Sequence, residues 1–161
     1  MGVGDREDGR VAGPTEPSGC YSPRLVDRTL VIVKPDAVER GLVGEIVGRL
    51  ERKGLRMVAA ELRTITPELA RSHYAEHEAQ PFFAALVEFF TRSPVLLLVM
   101  EGPKDTYALV RTMMGATNPA QADPGTIRGD LAIATTENLV HGSDSPESAA
   151  REIALFFPDL V

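Results

Sequence analysis

A histidine stands among residues that favour phosphoryl chemistry in the segment 138–146, NLVHGSDSP. Gly142 is expected to let the backbone adopt a conformation closed to other residues, and Ser143 offers a hydroxyl. Ser145 begins a predicted helix whose N-terminal amides favour negative charge nearby. A single histidine in a loop is usually a surface residue, but the spacing of the polar residues around this one is a more specific pattern than a histidine alone. Because neutral imidazole is a good nucleophile towards phosphorus, the pattern indicates a reactive His141.

Three cations elsewhere could accompany such a histidine. Arg111 and Arg128 could clamp phosphate oxygens, since a planar guanidinium pairs with them bidentately. The alternatives are an exposed helical charge for Arg111 and a chance RGD tripeptide around Arg128. Lys34 ends an apolar run and is either a solvated strand end or a positive charge delivered into a site.

The aromatic and histidine residues of the segment 73–83 leave two alternatives open. In PFF, residues 81–83, one phenylalanine packs in the core, and the other either packs there too or stacks on a nucleobase. Tyr74 has a similar ambiguity. His73 and His77 lie four apart and could imitate a metal pair. Because no third ligand accompanies them, a solvated helix face is expected and no metal ligand is assigned.

Periodicity and turn residues predict the elements that must position these side chains. An apolar run rich in β-branched residues predicts a strand at 28–34, and the most hydrophobic segment predicts one at 93–101. Loose alternation predicts a strand at 55–65, and LAIAT predicts a short one at 131–135. Helical spacing and capping signals predict helices at 41–54, 67–78, 81–93, 104–115 and 147–157. The segment 116–130 has no periodicity and is predicted to be a long loop, a type that is often functional.

This element order predicts an α+β fold. The expected arrangement is a ferredoxin-like β-α-β-β-α-β sandwich, in which helices cover one face of a four-stranded antiparallel sheet. Helices additional to this pattern are also expected. A doubly wound parallel sheet is the alternative. It lacks the glycine-rich fingerprint that would follow the first strand.

Composition narrows the class of protein. The chain has 161 residues with 43% apolar and 25% charged side chains, ordinary for a globular domain. The net charge of −6 argues against nucleic-acid binding, because neutralising phosphates requires a basic surface. With Cys20 as the single cysteine, no intramolecular disulfide can form, and a cytoplasmic setting is expected. Residues 1–26 are predicted to form a flexible extension, and residues 27–161 are predicted to form a domain. No membrane-spanning segment is expected.

Four segments in order give the chain its resemblance to a known family. They are VIVKPDAVERGLVGEI, HYAEHEAQPFF, GATNPAQADPGTIRGD and NLVHGSDS. Over residues 28–157 the chain resembles nucleoside diphosphate kinases. The resemblance implies ping-pong transfer of the terminal phosphate of a nucleoside triphosphate to a nucleoside diphosphate through a phosphohistidine. It also implies Mg²⁺ bound through the nucleotide phosphates, and a homo-oligomer, with a hexamer favoured and a tetramer as the alternative.

The resemblance also implies a role for each matching residue. His141 would be the phosphorylated nucleophile, and Glu152 would orient its ring with help from Ser143. The remaining side chains share contact with the nucleotide: Lys34 and Asn138 at the ribose 3′-hydroxyl and neighbouring phosphate, Tyr74 near the transferring phosphate, Arg111, Thr117 and Arg128 on the phosphates, and Phe82 on the base. The implied catalytic set is His141, Lys34, Glu152, Ser143 and Asn138.

Several positions depart from the family pattern. Ala116 replaces a usual acidic residue, and Thr135 stands where an apolar base contact is common. Glu137 stands where a basic residue is frequent and is expected to weaken phosphate binding locally. TRSP, residues 91–94, replaces the common TSGP. These changes raise the alternative of a nucleotide-binding regulatory protein with poor turnover.

Overall fold

The computed structural model describes residues 26–160. The predicted extension over residues 1–26, with Cys20, therefore lies outside the described residues except for Val26, the first residue of a strand. The strands are β1 (Val26–Val33), β2 (Arg56–Arg63), β3 (Val95–Pro103) and β4 (Val140–Gly142). The helices are α1 (Pro35–Glu39), α2 (Val43–Arg52), α3 (Pro67–His73), α4 (Phe83–Thr91), α5 (Thr106–Met114), α6 (Ile127–Leu131) and α7 (Pro146–Phe156).

The strands form one antiparallel sheet in the order β2-β3-β1-β4. β1 and β3 lie in the middle because they are the most apolar runs and bury side chains on both faces. This is the predicted ferredoxin-like arrangement, and the doubly wound alternative is wrong. Within residues 26–160, no helix combines the length and the apolarity that crossing a membrane requires.

Helices cover both faces of the sheet, which corrects the expectation of helices on one face. β1 buries every residue from 29 to 33, so successive side chains need partners on opposite sides. Val31 and Val33 pack with α2 and α5 on the first face. Leu30 and Ile32 pack with α3, α4 and α7 on the second face.

The C-terminal third departs most from the sequence-based expectation. No strand forms over residues 131–135, and the fourth strand is β4, three residues long. A strand this short offers no measurable period-2 pattern, so LAIAT, richer in apolar residues, was the more strand-like segment. The predicted loop 116–130 contains a short 3-10 helix, Pro119–Gln121, and then α6. The Thr126 side chain starts α6 by accepting from the Gly129 N–H at 3.0 Å.

Predicted helix signals are confirmed at three places. Thr66 caps α3 by accepting from the Leu69 N–H at 3.3 Å, and Ser145 caps α7 by accepting from the Ser148 N–H at 3.0 Å. Gly115 ends α5 with φ of 83°, a conformation that favours glycine. The helix predicted over 67–78 is shorter: α3 ends at His73, and a 3-10 turn follows.

Candidate active site

A cavity of about 730 Å³ opens beside the edge strand β4, and side chains from both faces of the sheet line it, Met114 from the first and Tyr74 from the second. Its volume lies in the usual range for small-molecule sites. Sequence-predicted site residues that line it are Lys34, Tyr74, Phe82, Arg111, Thr117, Arg128, Asn138, His141 and Glu152. Ser143 is fully buried behind the wall and contacts Glu152. The fold therefore brings together side chains that lie more than a hundred residues apart in sequence.

His141 lies on β4 rather than in a loop. It pairs with Ile32 of β1 in the antiparallel ladder. Because paired residues of a sheet project to the same face, the imidazole lies on the side of α3 and α7. A strand at the sheet edge thus fixes the backbone of the candidate nucleophile, which a mobile loop would not do.

Glu152 and Ser143 hold one side of the His141 ring. The two carboxylate oxygens lie 3.0 and 3.1 Å from Nε2 of His141. The Ser143 hydroxyl donates to the same carboxylate at 2.6 Å and accepts from the Leu30 N–H at 3.3 Å. With Glu152 ionised, Nε2 must carry the hydrogen it donates, so Nδ1 keeps its lone pair. The arrangement orients a neutral imidazole with Nδ1 available for attack.

The environment keeps Glu152 ionised although it is only 6% exposed. Burial by itself raises the pKa of this carboxyl group. Hydrogen bonds from His141 and Ser143 outweigh burial, so the pKa of Glu152 lies below its usual value. An ionised acceptor is what fixes the tautomer of the histidine.

His73 is buried beneath His141, which corrects the expected solvated face. Its side chain is 1% exposed and its ring centroid lies 4.7 Å from that of His141. Burial lowers the pKa of His73 to about 3. Its Nδ1 lies 3.9 Å from a Glu152 oxygen, but a neutral imidazole makes no ion pair there. In the sequence, His73 stands directly before Tyr74, and nothing more indicates that it is buried. Packing of the His73 ring against Phe90, which only the structure shows, buries it.

Gly142 is required for a different reason than the predicted one. Its φ is not positive, so the backbone conformation is open to other residues. A Cβ at this position would instead lie 2.7 Å from Sδ of Met114 and 3.3 Å from a Val110 methyl. The glycine therefore lets α5 approach β4 closely. That approach brings Arg111 to the cavity, where its Nη1 donates to the Gly142 carbonyl at 3.3 Å.

Lys34 and Asn138 form a buried pair at the end of β1. The Lys34 ammonium donates to Oδ1 of Asn138 at 2.6 Å, and Nδ2 of Asn138 donates to the Thr117 carbonyl at 2.9 Å. Burial lowers the pKa of Lys34 to about 8, so the ammonium stays largely charged at neutral pH. Lys34 is thus delivered into a site, which decides between the two alternatives.

Leu139 and Asp36 were missed by the sequence analysis and hold Asn138 in place. Leu139 has φ of 74°, an unfavourable conformation for a branched side chain. Its N–H donates to the Asp36 carboxylate at 3.0 Å, and its carbonyl accepts from the Lys34 N–H at 2.9 Å. Both bonds to the β1–α1 junction oppose relaxation of the strained residue. No sequence pattern announces a positive φ at leucine.

Arg128 is largely committed to the backbone around β4. Its Nε, Nη1 and Nη2 donate to the carbonyls of Asn138, Gly115 and Val140 at 3.2, 2.9 and 2.7 Å. Burial, with a smaller contribution from Arg111, lowers the pKa of Arg128 to about 10. A guanidinium has five N–H donors, so two remain for a ligand. Two arginines therefore converge on the cavity beside His141.

The phenylalanine pair divides between core and cavity. Phe83 packs against the second-face core, whereas Phe82 is 51% exposed at the cavity mouth. Its ring centroid lies 5.9 Å from that of His77. An exposed ring over a cavity is a stacking surface, which favours one of the two alternatives for PFF.

The cavity mouth also carries residues that depart from the family pattern. We define the outer rim as Phe82, Arg92, Thr135 and Glu137, all of which line the cavity. Nη1 of Arg92 donates to Glu137 at 2.6 Å. The acidic side chain expected to weaken anion binding is therefore paired. Ala116 is exposed and does not line the cavity.

One group of side chains in residues 26–160 offers metal ligands. Single atoms of His73, His141 and Glu152 lie within 4.8 Å of one another. The Glu152 oxygens already accept from His141 and Ser143. This geometry orients an imidazole, and the same atoms would have to give up those bonds to bind an ion.

Comparisons with known proteins agree with the resemblance found in the sequence. The family model of nucleoside diphosphate kinase matches residues 27–160. Nucleoside diphosphate kinase of Parafrankia sp. is 60% identical over 134 residues, 83% of this chain and 97% of the relative. That of Mycobacterium sp. is 60% identical over 135 residues, 83% of this chain and 98% of the relative. The solved halophilic nucleoside diphosphate kinase from Halobacterium salinarum in complex with CDP is 54% identical. It has a TM-score of 0.79 and covers 81% of this chain and 87% of its own.

Proposed function

The chain belongs to the nucleoside diphosphate kinase family, and from that premise we propose that it works by a ping-pong mechanism through a phosphohistidine at His141. It is an enzyme, a phosphotransferase that acts on nucleotides. In the first step Nδ1 of His141 bonds to the γ-phosphorus while the bond to the β-phosphate oxygen breaks, and the diphosphate leaves. In the second step a terminal oxygen of another diphosphate attacks the phosphohistidine and regenerates the imidazole.

The observation that carries this proposal is the one-sided binding of the His141 ring. Glu152 accepts from Nε2 at 3.0 Å, which supports Nδ1 as the attacking atom. The same bond stabilises the positive charge that the ring gains as phosphorus bonds to Nδ1. Positioning and charge stabilisation are what phosphoryl transfer mainly needs from a protein.

The phosphates would be held by the cations that converge beside His141. Arg111 and Arg128 provide unused guanidinium donors, and Lys34 provides an ammonium next to Asn138. Tyr74 and Thr117 line the same cavity and would complete the contacts. The CDP bound by the Halobacterium salinarum relative supports a nucleoside diphosphate as a substrate. Phe82 would stack on the base, which tolerates different bases because each has a π face.

Mg²⁺ fits this cavity as a companion of the nucleotide. The ion prefers oxygen ligands and usually keeps several waters and phosphate oxygens, so it needs few protein ligands. Asp144 lines the cavity; its Oδ1 accepts from the Ser148 hydroxyl at 2.6 Å, and its other oxygen would contact the ion through water. When bound, Mg²⁺ would neutralise part of the phosphate charge, and the chain's own arginines and lysine would neutralise the rest.

The test is phosphorylation of the isolated protein with γ-labelled ATP. The expected product is an acid-labile, base-stable phosphoenzyme that transfers its label to an added diphosphate. His141→Ala should remain unlabelled while keeping its fold by circular dichroism. A labelled His141→Ala protein, or a wild type that turns over without labelling, would contradict the phosphohistidine.

We also propose a homo-oligomer, with a hexamer favoured over a tetramer because the family resemblance implies it. Apolar side chains left exposed in the single chain support contacts between subunits. Leu62 on the edge strand β2 is 61% exposed and Ile133 is 91% exposed. Sedimentation equilibrium would decide between the two assemblies. We also propose a cytoplasmic location, which a chain with a single cysteine favours.

A further inference from the structure

Two departures from the family sequence pattern meet in space. Arg92 stands in the TRSP segment, and Glu137 stands directly before Asn138. Arg92 Nη1 donates to Glu137 at 2.6 Å, and its Nε and Nη2 donate to the two oxygens of Glu39 at 3.0 and 2.6 Å. We call these three residues the Arg92 cluster.

The Arg92 cluster joins three parts of the chain at the outer rim. Arg92 is the C-cap of α4, Glu39 ends α1, and Glu137 lies in the segment between α6 and β4. The guanidinium also lies 4.7 Å from the centroid of the Phe89 ring. These contacts define its orientation, although each side chain is 35–48% exposed.

The cluster borders the cations that face the phosphates. Glu137 precedes Asn138, whose Oδ1 accepts from the Lys34 ammonium at 2.6 Å. That ammonium lies 5.4 Å from the centroid of the Phe89 ring, the ring that Arg92 also contacts. Glu137 and Lys34 also line the same cavity. An unpaired carboxylate there would repel a nucleotide that carries several negative charges.

We propose that Arg92 is a positioning residue for nucleotide binding, which acts by neutralising Glu137 at the outer rim. Arg92 itself would contact no phosphate. The proposal rests on the proposed function to the extent that nucleotide phosphates bind beside Lys34. It explains how this chain carries an acidic residue where the family pattern is often basic.

The first test is the affinity of Arg92→Ala for ADP, measured by isothermal titration calorimetry at low and high salt. Repulsion by an unpaired Glu137 is expected to raise the Kd about fivefold at low salt, by Coulomb interaction near a solvated surface. The increase should shrink at high salt because salt screens exposed charges. In steady-state assays the KM should rise similarly, with little change in kcat.

A second substitution separates charge from structure. Glu137→Gln in the Arg92→Ala background removes the unpaired carboxylate that lines the cavity and should return the Kd towards the wild-type value. Glu39 also loses Arg92, but it does not line the cavity and keeps a hydrogen bond from the Ser93 hydroxyl at 2.7 Å. Arg49→Ala is the matched control, because Arg49 also bonds two acids, Glu45 and Asp130, each at 2.7 Å. Its loss should leave the Kd for ADP unchanged.

Two results would overturn the inference. One is an Arg92→Ala protein with wild-type Kd at every salt concentration. The other is a raised Kd that persists at high salt and is not relieved by Glu137→Gln, which would indicate a purely structural role. A wild type that binds ADP but transfers no phosphate would overturn the proposed function instead, and the Kd comparison would still test the inference.

Discussion

The inner and outer ends of the cavity are built on different principles. At the inner end, Glu152 is 6% exposed and Ser143 is fully buried, and hydrogen bonds fix the His141 ring. At the outer rim, Phe82 is 51% exposed and Arg92 reaches Glu137 across solvent-accessible surface. A buried polar group loses a full bond when its partner is removed, whereas an exposed one regains water. Substitutions at the inner end are therefore expected to lower the rate of phosphoryl transfer by a larger factor than substitutions at the outer rim lower nucleotide affinity.

The sharpest way to break this comparison is Glu152→Ala. It leaves the His141 Nε2 hydrogen and the Ser143 hydroxyl without their shared acceptor, so the tautomer that exposes Nδ1 is no longer favoured. Single-turnover phosphorylation is expected to slow by roughly 10²–10⁴-fold, the scale seen when a buried carboxylate no longer orients a catalytic histidine. Glu147→Ala, on the exposed side of the same helix, should phosphorylate normally. Equal rates in the two variants would contradict the orienting role.

The close approach of α5 to β4 is tested by Gly142→Ala. The added methyl would lie 2.7 Å from Sδ of Met114, so α5 must shift. Such overpacking is expected to cost about 1–3 kcal/mol in the free energy of unfolding, measured by urea denaturation. Gly44→Ala is the control, since no atom lies within 4 Å of its added Cβ and α2 gains a better helix former. A stable Gly142→Ala protein with normal activity would contradict the steric argument.

His73 predicts how the inner end responds to pH. Its pKa is about 3 in the folded chain against 6.5 as the usual value, so the unfolded chain binds the extra proton between these limits. Stability from His73 is therefore complete above about pH 6.5 and falls as pH drops towards 3, by at most about 1.4 kcal/mol per pH unit.

His73→Phe should flatten the pH dependence of unfolding free energy between about pH 4 and 6.5, because phenylalanine has no proton to bind. The new ring would remain between Phe90, which stacks on His73, and Phe156, which meets it edge to face. The pKa of Glu152 is lowered mainly by hydrogen bonds from His141 and Ser143, which both proteins keep, so its contribution has the same direction in both. Identical slopes in the two proteins would show that His73 is not the titrating group.

The smallest expected effect is at the outer rim, with Phe82→Ala. Stacking on a base is worth about 1–3 kcal/mol, and the half-exposed ring favours the lower end. The KM should rise about five- to tenfold for purine and pyrimidine diphosphates alike, with kcat nearly unchanged. Phe83→Ala would instead lower stability, since that ring packs in the core. A strong base preference in the loss would contradict simple stacking.

The fold was largely predictable because its signals are local. Strands β1 and β3 contain long apolar runs, β2 alternates loosely, and hydroxyl caps mark the starts of α3 and α7. β4 was not predictable, since three residues carry no period and its existence depends on pairing with β1. The strand predicted at residues 131–135 is wrong for the same reason, since so short a segment cannot show a reliable period.

By itself the sequence determined which residues are available for chemistry: the spacing around His141, the cations at 34, 111 and 128, and the family these match. Tertiary structure alone decided that His141 lies on a strand, that His73 is buried beside it, and that Arg92 pairs with Glu137. The reason is that residue type and spacing are local properties, whereas burial and charge pairing depend on which distant segments meet. His73 and Glu137 look alike as polar surface residues in the sequence, and only their neighbours in space distinguish a neutral buried ring from a paired exposed charge.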